Sequence, residues 1–372
     1  MYNKVLVTDG NERHTLALIR SMSRDSEVHV GSEEPRACAL YSKFTKDTMI
    51  YGIESPEIFA KSLNRYMSPR KIGVLIPVGD ECCLYASSLK DEIEAVVPLP
   101  DHKSMLIAVD KVKMMHRAHE LGFNVPEVIR TPSRFPVVLK RVTGSGLRFV
   151  NDETEFENAK RLFASRGIPY FVTEYVDGRE NYSYAALLQD GRVRVFFMHR
   201  EIREYPATGG SASYAVSTYD AEIRSRCQRL LEDLEWNGVA MVEFKVNSQG
   251  EMYFMEVNPR FWASLELAIA SGVDFPLLLL KMIKGERIVQ PKYMVGVRFR
   301  WLFEDVLTFF SAPSRSFVRS FHERSTLDVH LDDLPAHILR AATARRPLKL
   351  GHPYGIPGIR HSRISKSHGC AS

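Results

Sequence analysis

Residues Gly238 to Phe261 read GVAMVEFKVNSQGEMYFMEVNPRF, two apolar runs around a turn-forming NSQG, with charged and amide side chains at alternate positions inside the runs. Successive side chains of a strand point to opposite faces, so the pattern demands a hairpin with one apolar and one polar face. A four-residue turn over Asn247–Gly250 pairs Val246 with Glu251 and Glu243 with Phe254. One face then carries Val242, Phe244, Val246, Tyr253, Met255 and Val257; the other carries Glu243, Lys245, Glu256 and Asn258. A hairpin with a merely wet polar face fits the same alternation. Pro259 argues for more, because it has no N–H to continue the ladder. Arg260 follows, where its planar fork can clamp a phosphate or carboxylate.

In that register Glu243 and Glu256 are diagonal neighbours, roughly 7–8 Å apart at the backbone. Two carboxylates that close repel each other and lose solvation. A divalent cation relieves both problems. Mg²⁺ (or Mn²⁺) takes oxygen ligands, in sites that pair one or two carboxylates with substrate phosphates. Asn258 adds a neutral oxygen on the same face.

A magnesium–phosphate site needs cations and a phosphate cradle, and FPVVLKRVTGSGLRFV offers both. Lys140 ends an apolar strand, and Gly144, Ser145 and Gly146 follow as a loop whose N–H groups can wrap phosphate oxygens. A plain hairpin turn would look the same, and the segment is not a Walker A sequence. In YFVTEYVDGRE, Glu174, Tyr175 and Val176 can line an adenine pocket through the main chain, and Glu180 can hold ribose hydroxyls. Lys111, heading a helix in VDKVKMM, can reach a phosphate.

The whole chain has 372 residues, 45% of them hydrophobic and 26% charged, which is room for two or three domains. A net charge of +5 permits anionic partners without implying nucleic acid. Five cysteines without C-x-x-C spacing suggest buried thiols in a reducing compartment rather than a disulfide framework. The N-terminal MYNKVLVTDGNERH lacks a charged-then-apolar signal pattern. No apolar run approaches the roughly 20 residues of a membrane span. A cytoplasmic location is the expectation.

Strands (KVLVTDG, SEVHVGS, IGVLIPVGD) alternate with helices (HTLALIRSMSR, PEIFAKSLNRYMS, ECCLYASSL) up to about residue 101, as in a doubly wound α/β unit. Ligands bind such units at the carboxyl edges of their strands, here Thr8–Gly10 and Val78–Glu81. DHKSMLIAVDKVKMMHRAHELG reads as one helical stretch ending at Gly122. From 102 to 290 the strands are joined mostly by short turns, an α+β region. A strand running into the aromatic-rich helix of FRWLFEDVLTFF follows, then a basic tail holding Arg345, Arg346, Lys349, Arg360, Arg363 and Lys366. That helix reads as core packing, with an interfacial role left open by the tail.

In order, DK at Asp110–Lys111, VVLK with its glycine loop, TEYVDGRE, VEFKV and FMEVNPRF resemble the ATP-grasp superfamily, over roughly residues 1–290 and in its carboxylate–amine ligase branch. Biotin carboxylase and carbamoyl-phosphate synthetase are more distant by pattern. The resemblance implies a pre-ATP-grasp α/β domain (1–101), an α+β ATP-grasp domain (102–290, lid about 111–178) and a small mixed C-terminal region (291–372). It implies that Lys111 and Lys140 bind phosphates, Glu174 to Val176 bind adenine and Glu180 binds ribose. Glu243, Glu256 and Asn258 become the metal ligands, and Arg260 steadies the transferring phosphoryl group. The glycine loop is poorer in glycine than in biotin carboxylase.

The segment MHREIREYPATGGSASYA is the substrate-side candidate, with Arg200 and Arg203 ahead of Gly209, Gly210 and Ser211. Arg203, with Lys140 and Arg260, also stands as a catalytic candidate. Asp80 and Glu81 in PVGDE shape the same pocket. The expected function is ADP-forming ligation of a small-molecule carboxylate, activated as an acyl phosphate, to an amine, with ATP and Mg²⁺. Alternatives are a bicarbonate- or thiol-using enzyme of the same fold, or an ATP-binding regulatory protein with a worn site. Nucleic-acid binding by the tail is the weakest reading, and a homodimer is compatible with the pattern.

Overall fold

The computed structural model describes residues 2–144, 146–178, 180–206, 209–311 and 315–343. Ser145, Thr208 and the basic tail therefore lie outside the described residues.

The N-terminal unit is a parallel sheet of β1 (Lys4–Val7), β2 (Glu27–Ser32), β3 (Asp47–Ile50) and β4 (Val74–Ile76), in the order β3-β2-β1-β4. Parallel neighbours need crossovers. Helices α1 (Arg13–Met22) and α2 (Pro56–Arg70) supply two of them, and α3 (Asp80–Ser88) leaves β4. Strand β3 was not legible, because only Met49 of its four residues is buried. Strand order reverses between β1 and β4, so the loops after them face one crevice. The two loops are pressed together. Asp9, at φ 57°, accepts the Gly79 N–H at 2.7 Å, and a Cβ on Gly79 would lie 2.4 Å from the Asp9 Oδ1.

The helical stretch after residue 101 is two helices rather than one: α4 (His102–Val109) and α5 (Lys111–Glu120). Asp110 ends the first in an extended conformation and caps the second, accepting the N–H groups of Val112 and Lys113 at 3.1 Å. A small antiparallel sheet follows, ordered β6-β5-β7, from β5 (Val137–Arg141), β6 (Leu147–Val150) and β7 (Tyr170–Glu174), backed by α6 (Glu153–Ser165). It has its own apolar core of Val137, Leu139, Val150, Phe156, Ala159 and Val172.

The main sheet runs β12-β11-β8-β9-β10-β13-β14. Its strands are β8 (Glu180–Gln189), β9 (Arg192–Tyr205), β10 (Ser211–Thr218), β11 (Gly238–Val246), β12 (Met252–Asn258), β13 (Arg298–Arg300) and β14 (Thr326–Leu327). Helix α7 (Ala221–Asp233) precedes β11. The apolar stretch after β12 is broken at Gly272 into α8 (Leu265–Ser271) and α9 (Phe275–Ile283). Beyond residue 290 the chain joins this same sheet through β13, beside β10. Helices α10 (Leu302–Ser311), α11 (Arg315–Ser320) and α12 (Leu334–Thr343) complete the described fold. Among the described residues no helix is long and apolar enough to cross a membrane. The four described cysteines, Cys38, Cys82, Cys83 and Cys227, are buried and free.

One face of the main sheet packs Phe244, Phe254 and Trp236 with Met105 and Met114 of α4 and α5. The other packs Ala185, Phe197 and Met241 with Val7 and Leu16 of the N-terminal unit and with Trp262 and Trp301. Burial on both faces explains why β11 reads as nearly continuous apolar sequence.

Candidate active site

The hairpin β11–β12 forms, in a register different from the expected one. Val246 faces Met252, and Asn247 donates to the Glu251 carbonyl at 2.9 Å, so the loop is one residue longer than a four-residue turn allows. A bulge then places Phe244 opposite Phe254 and Glu243 directly opposite Glu256, with Met255 as the extra residue. Phe254, not Met255, enters the core; Met255 is half-buried. The longer loop and the bulge, each shifting the register by one residue, together convert the expected diagonal pair of carboxylates into a facing one. Asn258 donates from Nδ2 to Glu243 Oε1 at 2.9 Å. Burial raises the Glu243 carboxyl, opposed by Lys111 and Arg260.

Three further elements aim cations at this pair. Lys111, in the first turn of α5, forms an ion pair with Glu256. Its own N–H donates to the Val142 carbonyl at 2.9 Å, fastening α5 to the end of β5. Lys140, on β5, is 8% exposed, and burial together with Lys111 and Lys245 lowers its ammonium to about 7. Arg260, just past β12, pairs with Asp80 in the first turn of α3 and donates to the Phe261 carbonyl at 2.9 Å. Burial alone would raise the Asp80 carboxyl, but Arg260 and Lys111 hold it below the usual carboxylate range. A cavity of about 50 Å³ remains among Asp80, Lys111, Gly144, Glu256, Asn258 and Arg260. A larger hollow of about 900 Å³ lies beside α3, α7 and the β8–β9 turn. None of the expected site residues lines it, so size does not locate the chemistry here.

The segment between β7 and β8 is clamped to the hairpin tip. Glu174 Oε1 accepts the Glu127 N–H at 3.0 Å, Val176 is buried, and Lys245 lies 5.0 Å over the Tyr175 ring. Asp177 Oδ2 accepts the Ser248 hydroxyl at 2.8 Å. At Gly178, φ 142°, a Cβ would sit 2.0 Å from the Val246 carbonyl oxygen, so only glycine lets the loop cross the end of β11.

Residues 108–264 match the family model of an ATP-grasp domain. The chain carries an ATP-grasp domain. Among solved structures it is similar to N5-carboxyaminoimidazole synthetase from Staphylococcus aureus, complexed with ADP. That match has 12% identity and a TM-score of 0.67, covering 86% of each chain. Biotin carboxylase from Campylobacter jejuni matches at 15% identity and TM-score 0.63, over 80% of this chain and 74% of that one. L-amino acid ligase from Bacillus licheniformis matches at 16% and TM-score 0.60, over 79% and 76%. At these identities the likeness is one of fold. No curated protein matches the chain in sequence.

The ATP-grasp domain gathers Lys111, Lys140, Gly144, Glu243, Glu256, Asn258 and Arg260 around one point, with Asp80 entering from the N-terminal unit. Glu81 turns aside and accepts the Tyr85 hydroxyl at 3.0 Å. Glu180 accepts from Arg200 and from the Tyr182 hydroxyl, each at 3.2 Å, so Arg200 sits at the start of β8 rather than beside Arg260. Gly209 packs against Leu147 of β6, bringing the β9–β10 loop to the glycine loop's strand, and Ser211 pairs with Tyr205.

Arg203 departs from the expectation. Its guanidinium grips Asp305 at 2.7 and 2.9 Å and lies 4.6 Å over Tyr214 and 4.7 Å over Phe317. Asp305 is wholly buried and is shared with Arg300. Arg203 therefore anchors α10 to the main sheet, its Nε and Nη2 committed to Asp305.

Sequence reasoning missed the groups that close the site from the N-terminal side. Arg13 reaches the carbonyls of Ala263 (3.0 Å) and Ala212 (2.8 Å), and Glu12 lies beside Arg260, Asp9 and Asp80. It also missed Glu201 on β9. None of these stands in a motif; the alternating charges of HREIREY were the one available signal for Glu201.

Proposed function

We propose that this protein is an ATP-dependent, ADP-forming ligase that activates a substrate carboxylate as an acyl phosphate and couples it to an amine. The observation that carries the reading is the meeting of Lys111, Lys140 and Arg260 with Glu243, Glu256 and Asn258, four structural elements converging on one point.

The donor set fits Mg²⁺. Two facing carboxylates and an amide oxygen are hard oxygen ligands, and the buried Glu243 calls for positive charge. Among the described residues no three acidic, histidine or cysteine side chains form a cage. That suits an ion whose remaining ligands come from phosphates and water. When bound, Mg²⁺ would neutralise charge on the β- and γ-phosphates during transfer.

The chain's own residues do the rest by positioning. Main-chain groups of Glu174 to Val176 receive adenine. Lys111 and Lys140 bind phosphate oxygens, so Lys111 must exchange Glu256 for nucleotide. Arg260 exchanges Asp80 for the substrate carboxylate and holds it in line with the γ-phosphate. The glycine loop and the β9–β10 loop, touching through Gly209 and Leu147, exclude water from the acyl phosphate.

The test is an ADP-release screen over pairs of amino acids and small carboxylic acids, with a bicarbonate arm, and Glu256→Ala as the control. Pair-dependent ADP release that Glu256→Ala abolishes supports the ligase. Release driven by bicarbonate alone, or tight ATP binding with no release for any pair, rules it out.

A further inference from the structure

Helix α12 is built inside out. Its polar side chains point into the protein. Arg340, 7% exposed, donates to Glu304 and Asp328, each at 2.5 Å, and His337 Nε2 meets the Arg20 guanidinium at 2.9 Å. Asp333, in the single turn that leads into the helix, accepts the Ser42 hydroxyl at 2.8 Å and the Lys43 N–H at 3.0 Å. The outward face is apolar. Leu331, Leu334 and Ile338 are 79%, 46% and 61% exposed. Their spacing of three and four residues makes one stripe, to which exposed Pro335 and Ala342 also belong. A helix of a globular protein ordinarily turns such a stripe to the core.

Helix α10, tied to α12 through Glu304, extends the apolar surface together with α11. The rings of Phe309, Phe317 and Phe321 touch in series at 4.8 and 5.1 Å, and Phe310 adjoins Phe309 at 5.8 Å. Phe310, Val318 and Phe321 are all exposed.

Charge beside these residues is one-sided. Glu323 is paired with Arg298 at 3.1 Å, Asp332 with Lys43 at 2.7 Å, and Asp328 with Arg340. Arg319 and Arg324 are exposed and form no ion pair among the described residues. No acid follows Asp333 in the sequence, whereas Arg345, Arg346, Lys349, Arg360, Arg363 and Lys366 do, six cations against a net charge of +5 for the whole chain. Arg345 is two residues past Thr343, the last of α12, so chain length alone keeps it within about 7 Å of the helix end.

We propose that the outer face of α12 docks on an anionic phospholipid surface. Leu331, Leu334 and Ile338 enter between the headgroups, and Arg345, Arg346 and Lys349 meet the lipids' negative charge. Apolar insertion and attraction to anionic lipid reinforce each other in a helix lying along an interface. Each cation held near such a surface strengthens binding about five-fold. A second copy related by a two-fold axis would instead set one acid-free segment against another, like charge on like. Nucleic acid would satisfy the cations and leave the stripe wet. The inference is independent of the ligase reading.

Flotation of the full chain with vesicles tests it. One set of vesicles is phosphatidylcholine alone, the other an equimolar mixture with phosphatidylserine. The protein is expected to float with the mixed vesicles, to stay at the bottom with the neutral ones, and to be released as salt rises. Ile338→Ser, a change at an exposed position checked for folding by circular dichroism, should lower partitioning into the mixed vesicles roughly 10-fold. Parent protein that stays at the bottom with both vesicles overturns the proposal. A parent that dimerises through this face, with Ile338→Ser monomeric and neither protein floating, assigns the stripe to a second copy instead. Equal flotation of parent and Ile338→Ser would mean that the cations act without the stripe, and overturns the docking face.

Discussion

Lys111 and Glu256 form an ion pair that joins the first turn of α5 to the carboxylate-bearing side of the hairpin. A lysine suited to phosphate thus neutralises a carboxylate suited to Mg²⁺. Arg260 and Asp80 repeat the arrangement on the substrate side. Lys111, Glu256, Arg260 and Asp80 thus satisfy one another, and on the proposed ligase reading Mg·ATP and the substrate carboxylate would displace these internal partners.

Lys111→Met tests this exchange. An ion pair at this exposure is worth on the order of 1 kcal/mol. Releasing Glu256 should therefore strengthen Mn²⁺ binding without nucleotide about five-fold. ATP affinity should fall roughly 10- to 100-fold through the lost phosphate contact. Calorimetric titrations of each ligand read both numbers. Weakening of both together would mean that Lys111 supports the fold of the hairpin rather than competing with the metal.

Lys140 should make nucleotide binding depend on pH. Its ammonium lies near pH 7 in the free protein, lowered by burial and by Lys111 and Lys245. Phosphate oxygens favour the charged form and raise that value on binding. Above pH 7 the complex then holds more protons than the free protein, so binding takes up protons and weakens as pH rises. Below about pH 6 the lysine is already charged and uptake vanishes. Titrations at pH 8 in two buffers of different ionisation enthalpy measure the uptake, and Lys140→Met should remove it. Equal apparent enthalpies in the two buffers for the parent would contradict this assignment.

The sequence carried the elements of this site further than its geometry. Glu243, Glu256 and Asn258 are spaced by the strand period, so their common face was legible. The register was not, because a bulge at Met255 leaves no mark in a run where every neighbour is apolar or aromatic. Lys140 stood out as a cation ending an apolar strand. Its depressed ammonium depends on burial and on Lys111 and Lys245, which surround it only after the chain has folded. Arg203 misled for the same reason. Its partner Asp305 lies 102 residues away, and an arginine near a glycine loop looks alike whether it grips a substrate or a buried aspartate.

Arg203→Ala should then be a stability variant. It removes one of the two arginines from a fully buried aspartate and vacates the slot between Tyr214 and Phe317. Breaking a buried pair typically costs about 3–5 kcal/mol; with Arg300 still on Asp305, about 2–3 kcal/mol is expected here. Urea unfolding should show that loss. The folded fraction should keep ATP and carboxylate KM values close to the parent's. A variant of unchanged stability with a raised carboxylate KM would return Arg203 to the substrate.

Gly178→Ala addresses the adenine side. The loop after β7 crosses the end of β11 so closely that a methyl group would lie 2.0 Å from the Val246 carbonyl oxygen, at a φ of 142° that alanine rarely adopts. The obstacle is backbone on both sides, so the loop must lift away, carrying Val176 and the Asp177–Ser248 hydrogen bond with it. Displacement at a strained position costs on the order of 1–3 kcal/mol. If the loop holds adenine, much of that cost appears as weaker nucleotide binding, roughly 10-fold or more. Tripolyphosphate, which lacks adenine, should bind parent and variant alike, because Lys111, Lys140 and the hairpin are untouched. Comparing ATP with tripolyphosphate by calorimetry isolates the loop's role, and an equal loss for both ligands would argue that the substitution disturbs the phosphate site instead.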